Sequence, residues 1–302
     1  MSDGTIRIGT SEDGGTFHTQ GQAIAQVARA AGVTDTLQVE TSTSASVGNA
    51  RRLDAGELEL GFMASNWIGR AKNGEPPFDR PVALCMASPV NAGPLFFISL
   101  ASSPLQRVSD LVGRRVAVGP EVSGMVQHVH TMFGELGISF DEFTPVYLGF
   151  ADGAKALEAG EIDAQFQCPI PNQVMTDLSR RADVRVLDHD PGQLDRLIGA
   201  VPFYRPVVMH AGAFRGLDAD TAQVGVLNVL VTHERVDRDT VASIVSAMVD
   251  GADDLARLNP LYNGLAGLYE DLRAEGRAAY EIGGVPLHPG AVDAYRRAEL
   301  LD

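Results

Sequence analysis

Lysine and long apolar runs are scarce in this sequence of 302 residues. Its 24 basic residues are outnumbered by 39 acidic ones, the formal net charge is −15, and only Lys72 and Lys155 are lysines. A field of that sign repels nucleic acid and anionic membrane surfaces, so neither is an expected partner. Schiff-base chemistry has few candidate nucleophiles, because arginine stays protonated. No stretch approaches the ~20 consecutive apolar residues of a transmembrane helix.

Patterns for disulfides, metals and cofactors are also missing. Nothing in the sequence brings Cys85 and Cys168 together, and two buried small hydrophobic residues are favoured over a disulfide, which stays open. His128 and His130 are two residues apart on a predicted helix and do not share a face. The sequence has no His-Glu-x-x-His or Cys-x-x-Cys pattern and no dinucleotide fingerprint. We therefore expect neither a metal nor a cofactor.

The first residues carry no basic segment followed by an apolar one, so they do not form a signal peptide. Two localisations are open on this basis. The protein is periplasmic or otherwise extracytoplasmic if a signal peptide was removed, and cytoplasmic if there was none.

A strand, a polar loop and a helix follow one another repeatedly along the chain. This order is typical of parallel sheets with crossover helices, and it occurs in two separate stretches. Two apolar strands, residues 94–100 and 224–232, flank the second stretch, and the last third is predicted to be helical over residues 239–255 and 261–275. The sequence thus predicts an α/β fold of two lobes with crossing strands. Lobe 1 would comprise residues 1–98 and 226–302, and lobe 2 residues 99–225.

Several segments resemble the TAXI family, the solute-binding subunits of one branch of TRAP transporters. They are Gly9-Thr10 with residues 13–17 (Asp-Gly-Gly-Thr-Phe), the helix–strand turns at 49–61 and 156–164, the run 108–119, and the segments 201–204 and 287–291. The resemblance implies a type II periplasmic-binding-protein fold, each lobe a mainly parallel sheet flanked by helices. It also implies capture of a small carboxylate, such as an amino, oxo or aromatic acid, by hinge closure, and delivery to the membrane-embedded TRAP subunits. A monomer is expected.

The sequence departs from the family pattern at a few positions. Glu12 and Asp13 are acidic where relatives have mostly Gly, Thr and Ser, although acidic groups also suit a helix N-terminus. Arg205 and His210 stand where apolar residues are more usual. These differences affect the expected ligand class more than the fold.

Ligands of open α/β sheets bind at the carboxyl ends of the strands, and the loops there supply the candidate site residues. Glycines allow close backbone approach, and N–H groups at a helix start can hold a carboxylate. The candidates are Thr10, Ser11, Gly14, Gly15, Thr16, Phe17, Thr43, Ser44, Ser65, Asn66, Ser123, Gly124, Gln167, Tyr204 and Arg205. Several have a structural alternative: a Gly-Gly pair is often only a tight turn, Ser and Thr often only cap a helix, Phe17 suits a core, and Arg205 suits a solvated connector.

A second function of a different class remains open at this point. Some decarboxylases and cofactor-biosynthesis enzymes have a similar fold, and fold does not fix function. In a cytoplasmic decarboxylase, Arg205 would hold an aromatic or small carboxylate while His18 or His210 moves a proton.

Overall fold

The computed structural model describes residues 5–34, 36–42, 44–121, 123–167 and 170–302. The chain divides into two compact units. Unit 1 comprises residues 1–92 and 227–302, and unit 2 comprises residues 93–226.

The first part of unit 1 alternates strands and helices. Its elements are β1 (Ile6–Gly9), α1 (Thr16–Ala30), β2 (Leu37–Glu40), α2 (Ala45–Ala55), β3 (Leu60–Ala64), α3 (Ile68–Asn73) and the start of β4 (Leu84–Leu100). β1 pairs in parallel with both β2 and β3, with Gly9 opposite Glu40 on one side and Gly61 on the other. The carboxyl ends of these three strands therefore lie at one edge of the sheet.

Unit 2 repeats this order around a second set of parallel strands. Its elements are the end of β4, then β5 (Arg115–Ala117), α4 (Gly124–Leu136), β6 (Thr144–Val146), α5 (Phe150–Glu158), β7 (Ala164–Gln167), α6 (Gln173–Arg181), β8 (Val184–Val186), α7 (Gln193–Ala200), β9 (Tyr204–Met209) and the start of β10 (Thr221–His233). β5 pairs in parallel with β6 and β7. β7 and β8 run antiparallel to β4, and β9 runs antiparallel to β10, so this sheet is mixed.

The chain then completes unit 1 with helices. After β10, which pairs antiparallel with β3, come α8 (Arg238–Asp250), α9 (Ala252–Leu258), α10 (Leu265–Glu275) and α11 (Pro289–Arg297). None of the helices in the described ranges combines the length and apolar character that crossing a membrane requires.

The strand predicted at 224–232 spans 221–233 and the helix predicted at 261–275 begins at Leu265, and two other elements differ more. The strand predicted at 94–100 begins ten residues earlier, at Leu84. The helix predicted at 239–255 is interrupted at Gly251. A side chain at that glycine would come within 2.5 Å of Val27 Cγ1 on α1, so the contact between these helices requires a glycine there.

Candidate functional site

The loop between β1 and α1 is a glycine turn that leads directly into a helix. Gly15 N–H donates to the Glu12 carbonyl at 2.9 Å, and Gly14 has a φ of +71°, which favours glycine. A Cβ on Gly15 would collide with Ser11 Oγ. That hydroxyl oxygen accepts a hydrogen bond from the His18 backbone N–H at 3.3 Å. The turn therefore depends on both glycines and on the serine.

The helix start leaves backbone donors available. Gly15 caps α1 without a side-chain hydrogen bond. The N–H groups of Thr16 and Phe17 have no acceptor among the residues that the structure describes. Unbonded N–H groups at the N-terminus of a 15-residue helix carry partial positive charge, and they suit an anionic oxygen.

The acidic residues of this loop point to solvent or to a histidine. The Asp13 side chain is 93% exposed, and its Oδ1 lies 3.1 Å from His18 Nδ1. Gly14 N–H is also 3.1 Å from that nitrogen. With its proton on Nε2, His18 accepts from Gly14 through Nδ1, whereas a proton on Nδ1 lets it donate to Asp13, so the position of the proton decides which contact is a hydrogen bond.

Two other predicted residues of this loop make internal contacts. Thr10 is fully buried, and its hydroxyl donates to the Glu40 carbonyl at 2.8 Å. Phe17 stacks on Phe62 with ring centroids 5.2 Å apart. The Phe17 contact agrees with its structural alternative in the core, the Thr10 contact is not a helix cap, and ligand contact by either residue stays a prediction.

The loops after β2 and β3 lie at the same edge. Ser44 is exposed and caps α2 through its carbonyl, which accepts from Val47 N–H at 3.2 Å. Ser65 is buried, and the buried Oδ1 of Asn66 has no partner among the described residues. Thr43, also predicted to bind ligand, lies outside the described residues. A contact of these side chains with ligand stays a prediction.

In unit 2 a corresponding edge follows β5, β6 and β7. Ala117 pairs with Val146 and with Gln165, so the residues two further along each strand reach the same level: Gly119, Leu148 and Gln167. Tyr147, directly after β6, is 44% exposed at this edge. Tyr147 was not among the residues predicted from the sequence. An aromatic residue placed directly after a predicted strand is the signal that would have found it.

The loop after β5 ends in a second helix start. Ser123 Oγ accepts from Val126 N–H at 3.4 Å and donates to the Pro120 carbonyl at 2.6 Å. This is the helix-capping alternative that the sequence analysis weighed. The N–H groups of Gly124 and Met125 have no acceptor within the described ranges, so α4 also presents unbonded donors.

Tyr204 and Arg205 both make contacts within the protein. Tyr204 is fully buried in the core of unit 2, and its hydroxyl lies 3.2 Å from His128 Nδ1. Arg205 is partly buried, and its Nη1 donates to the carbonyls of Pro202 and Tyr204 at 2.8 and 2.9 Å. His210 is exposed and lies 3.2 Å from Asp220. Neither the role of Arg205 toward a carboxylate nor the decarboxylase chemistry is tested by these contacts.

Solved structures with the same fold include two proteins described as periplasmic binding proteins and one from a study of glutathione import. The periplasmic sulfonate-binding protein SsuA of Methylobacillus flagellatus KT has a TM-score of 0.57 at 14% identity, over 98% of this chain and 95% of that one. SsuA of Escherichia coli, which binds aliphatic sulphonates, has 0.51 at 16% identity, over 97% and 82%. A structure from a study of glutathione import via GshT of Streptococcus mutans has 0.52 at 11% identity, over 87% and 95%.

These similarities confirm the predicted α/β fold of the periplasmic-binding-protein type. They fall short of showing the TAXI branch, which stays a prediction. A family model matches nearly the whole sequence, residues 8–298, and its description is the NMT1-like family. The chain therefore belongs to the NMT1-like family.

Proposed function

We propose that this protein is an extracytoplasmic solute-binding protein that captures a small organic anion, with a carboxylate as the primary candidate. It would release that solute to a membrane transporter. The resemblance to the TAXI family points to a TRAP transporter as the partner. The sulfonate-binding protein from M. flagellatus is described as part of an ABC transporter, which is the other type of partner to test.

The helix start in unit 1 is the observation that carries the proposal. It combines a glycine turn that a side chain would disrupt with two backbone N–H groups that lack acceptors among the described residues. An anionic oxygen placed there gains charge-assisted hydrogen bonds and the favourable end of the helix dipole. The turn also follows the carboxyl end of a parallel strand, which is where α/β sheets bind ligands.

The overall charge makes this local arrangement important. A chain of net charge −15 repels an anion at long range, so the solute has to be held by groups close to it. Backbone N–H groups do this without a basic side chain. An acidic side chain of the turn opposes binding of an anion least when it points to solvent. Asp13 does so, since its side chain is 93% exposed.

A thermal-shift screen of the full chain tests the proposal. The panel would contain small carboxylates, amino acids, oxo acids, aromatic acids and aliphatic sulfonates, and each hit would be measured by calorimetry. A ligand at a hundred times its Kd stabilises the native state by about 2.7 kcal/mol, which gives a clear shift in Tm. Chromatography of the recovered compound completes the test. A bound compound recovered unchanged supports a transport receptor, consumption of the compound indicates an enzyme, and no binding to any anion contradicts the proposal.

A further inference from the structure

Gln167 carries a buried side-chain amide that makes no hydrogen bond to the part of the chain that the structure describes. It is the last residue of β7, it is 0% exposed, and both its Nε2 and its Oε1 lack a partner among the residues that the structure describes. A buried amide in this state is costly, because water no longer satisfies its donor and acceptor. A ligand that contacts this amide would supply the missing hydrogen-bond partners for both atoms.

The neighbouring Gln165 differs in that one of its two polar atoms is bonded inside the protein, while its Oε1 also lacks a partner among the described residues. Its Nε2 donates to the Phe150 carbonyl at 2.9 Å, at the start of α5. The contact is possible because residue 153 is a glycine, and a Cβ at this position would collide with that nitrogen. Side chains two apart on a strand lie on the same face, so Gln167 follows Gln165 on this face, one step closer to the carboxyl edge.

The surroundings of Gln167 favour an anionic group. The register places it level with Gly119 and Leu148, the residues that follow β5 and β6. The nine-residue helix α5 begins at Phe150, directly beside this edge, and its N-terminus favours negative charge. The amide thus lies where the proposed function expects solute atoms.

We propose that Gln167 selects the solute by pairing with both an acceptor and a donor on it. The solute class would be a small organic acid that carries a hydrogen-bond donor beside its acid group, such as an α-amino acid, an α-hydroxy acid or an acid amide. This inference rests on the proposed function and narrows its ligand. Nε2 would donate to an acid or carbonyl oxygen, and Oε1 would accept from the hydroxyl, ammonium or amide N–H.

Anions that only accept hydrogen bonds fit this amide less well. A sulfonate or an unsubstituted carboxylate would accept a hydrogen bond from Nε2. It would leave Oε1 buried and without a donor, beside an oxygen of the anion. Sites built to bond a polar group reject analogues that lack it, because their own polar atoms are then left without partners. The protein should therefore discriminate between acids that differ only in the donor.

The experiment compares matched ligands on the full-length protein. Calorimetry would measure Kd for propionate, lactate, alanine and ethanesulfonate with the wild type and with Gln167→Leu. We expect the wild type to prefer lactate or alanine over both donor-free acids by about tenfold or more, and Gln167→Leu to reduce that preference to about twofold or less. The ligand-free Tm of Gln167→Leu should equal or exceed that of the wild type, since the substitution removes an unsatisfied amide.

Gln165→Leu is the matched control, because it removes a bonded amide from the same strand face. It should lower the ligand-free Tm and leave the ligand preference unchanged. Gln167→Met replaces the leucine variant if that variant does not fold, and failure of both to fold would show that the amide is needed by the fold and overturn the inference. Binding without a preference, or a preference that survives in Gln167→Leu, would also overturn it. Absence of any binding by the wild type would instead be a failure of the proposed function.

Discussion

His128 and Tyr204 form a buried polar pair inside unit 2, with imidazole Nδ1 and the phenol oxygen 3.2 Å apart. His128 is 4% exposed, and its burial lowers the pKa from 6.5 to about 4. The native state thus keeps this imidazole neutral at pH values where the unfolded chain binds a proton. Stability from this group is complete above the unfolded pKa and is lost as the pH falls from about 6.5 towards 4.

The pH dependence of the unfolding free energy should therefore reveal the titration of His128. Between pH 7 and pH 5 the group should cost roughly 2 kcal/mol of unfolding free energy. Denaturant titrations at several pH values would compare the wild type with His128→Asn, which cannot titrate but can still bond the Tyr204 hydroxyl. His189, His233 and His288 have pKa values that burial also lowers, and they are common to both proteins. Parallel pH profiles for the two proteins would contradict this assignment.

Thr16→Pro removes one backbone donor from the proposed anion site without removing the helix. Proline is well tolerated at the first position of a helix, where its missing N–H would have had no helical partner. Gly15 has φ −68° and ψ 164°, an extended conformation compatible with a following proline. We expect the affinity for the best anionic ligand of the screen to fall about tenfold, with Tm changing by only a few degrees.

Thr16→Ala is the control for this donor, because it removes the threonine side chain and keeps the N–H. Its affinity should stay within about twofold of the wild type, and calorimetry measures both variants. Equal binding by Thr16→Pro and the wild type would show that this N–H does not contact the ligand.

Local sequence patterns predicted the fold class because each step of it is local. The strand–loop–helix order can be recognised within a few residues, and so can glycines such as Gly56, which ends α2 in the left-handed conformation. Long-range contacts were not predicted. The first half of β4 contains Pro89 and Asn91, which weaken a strand pattern, and the break at Gly251 depends on Val27 on another helix.

The candidate site shows the same division. The turn at Gly14 and Gly15 was predicted from composition, and the structure supplies its unbonded donors. The sequence also selected Tyr204 as a ligand-binding residue, but its partner His128 is 76 positions away, so its place in the core was not predicted. That the Gln167 amide has no partner within the described ranges is likewise a property of packing, which a single sequence does not display.

Asn49 links the residue after β1 to the middle of the parallel strand β3, and its replacement should destabilise unit 1. It opens the helix–strand motif at 49–61, it is fully buried, and its Nδ2 donates to the carbonyls of Thr10 and Phe62 at 2.9 and 3.0 Å. Asn49→Ala should lower the free energy of unfolding by about 2 kcal/mol. Asn49→Asp should cost more, because a buried carboxylate would face two carbonyl oxygens. Asn73→Ala, at an exposed asparagine, should change it by less than about 0.5 kcal/mol.

Denaturant unfolding monitored by circular dichroism would measure these three variants. If Asn49→Asp were as stable as the alanine variant, the two carbonyls would not depend on the amide donor. The residues following both strands belong to the proposed ligand edge, so loss of this donor should also weaken solute binding.

Gly290 is a position where the backbone of α11 packs closely on the backbone of α8. A Cβ there would collide with the Arg238 carbonyl oxygen and would lie 2.9 Å from the Ala242 backbone nitrogen. Backbone atoms of a packed helix cannot move aside as a flexible side chain can, so the two helices would have to separate. We expect Gly290→Ala to lower the free energy of unfolding by roughly 1–3 kcal/mol.

Gly134→Ala is the control, because Gly134 is exposed within α4 and a Cβ there meets nothing within 4 Å. That control should raise stability by about 0.5–1 kcal/mol, through the better helix propensity of alanine. Tm and denaturant midpoints measure both variants, and effects of the same sign would contradict the assigned contact between α11 and α8.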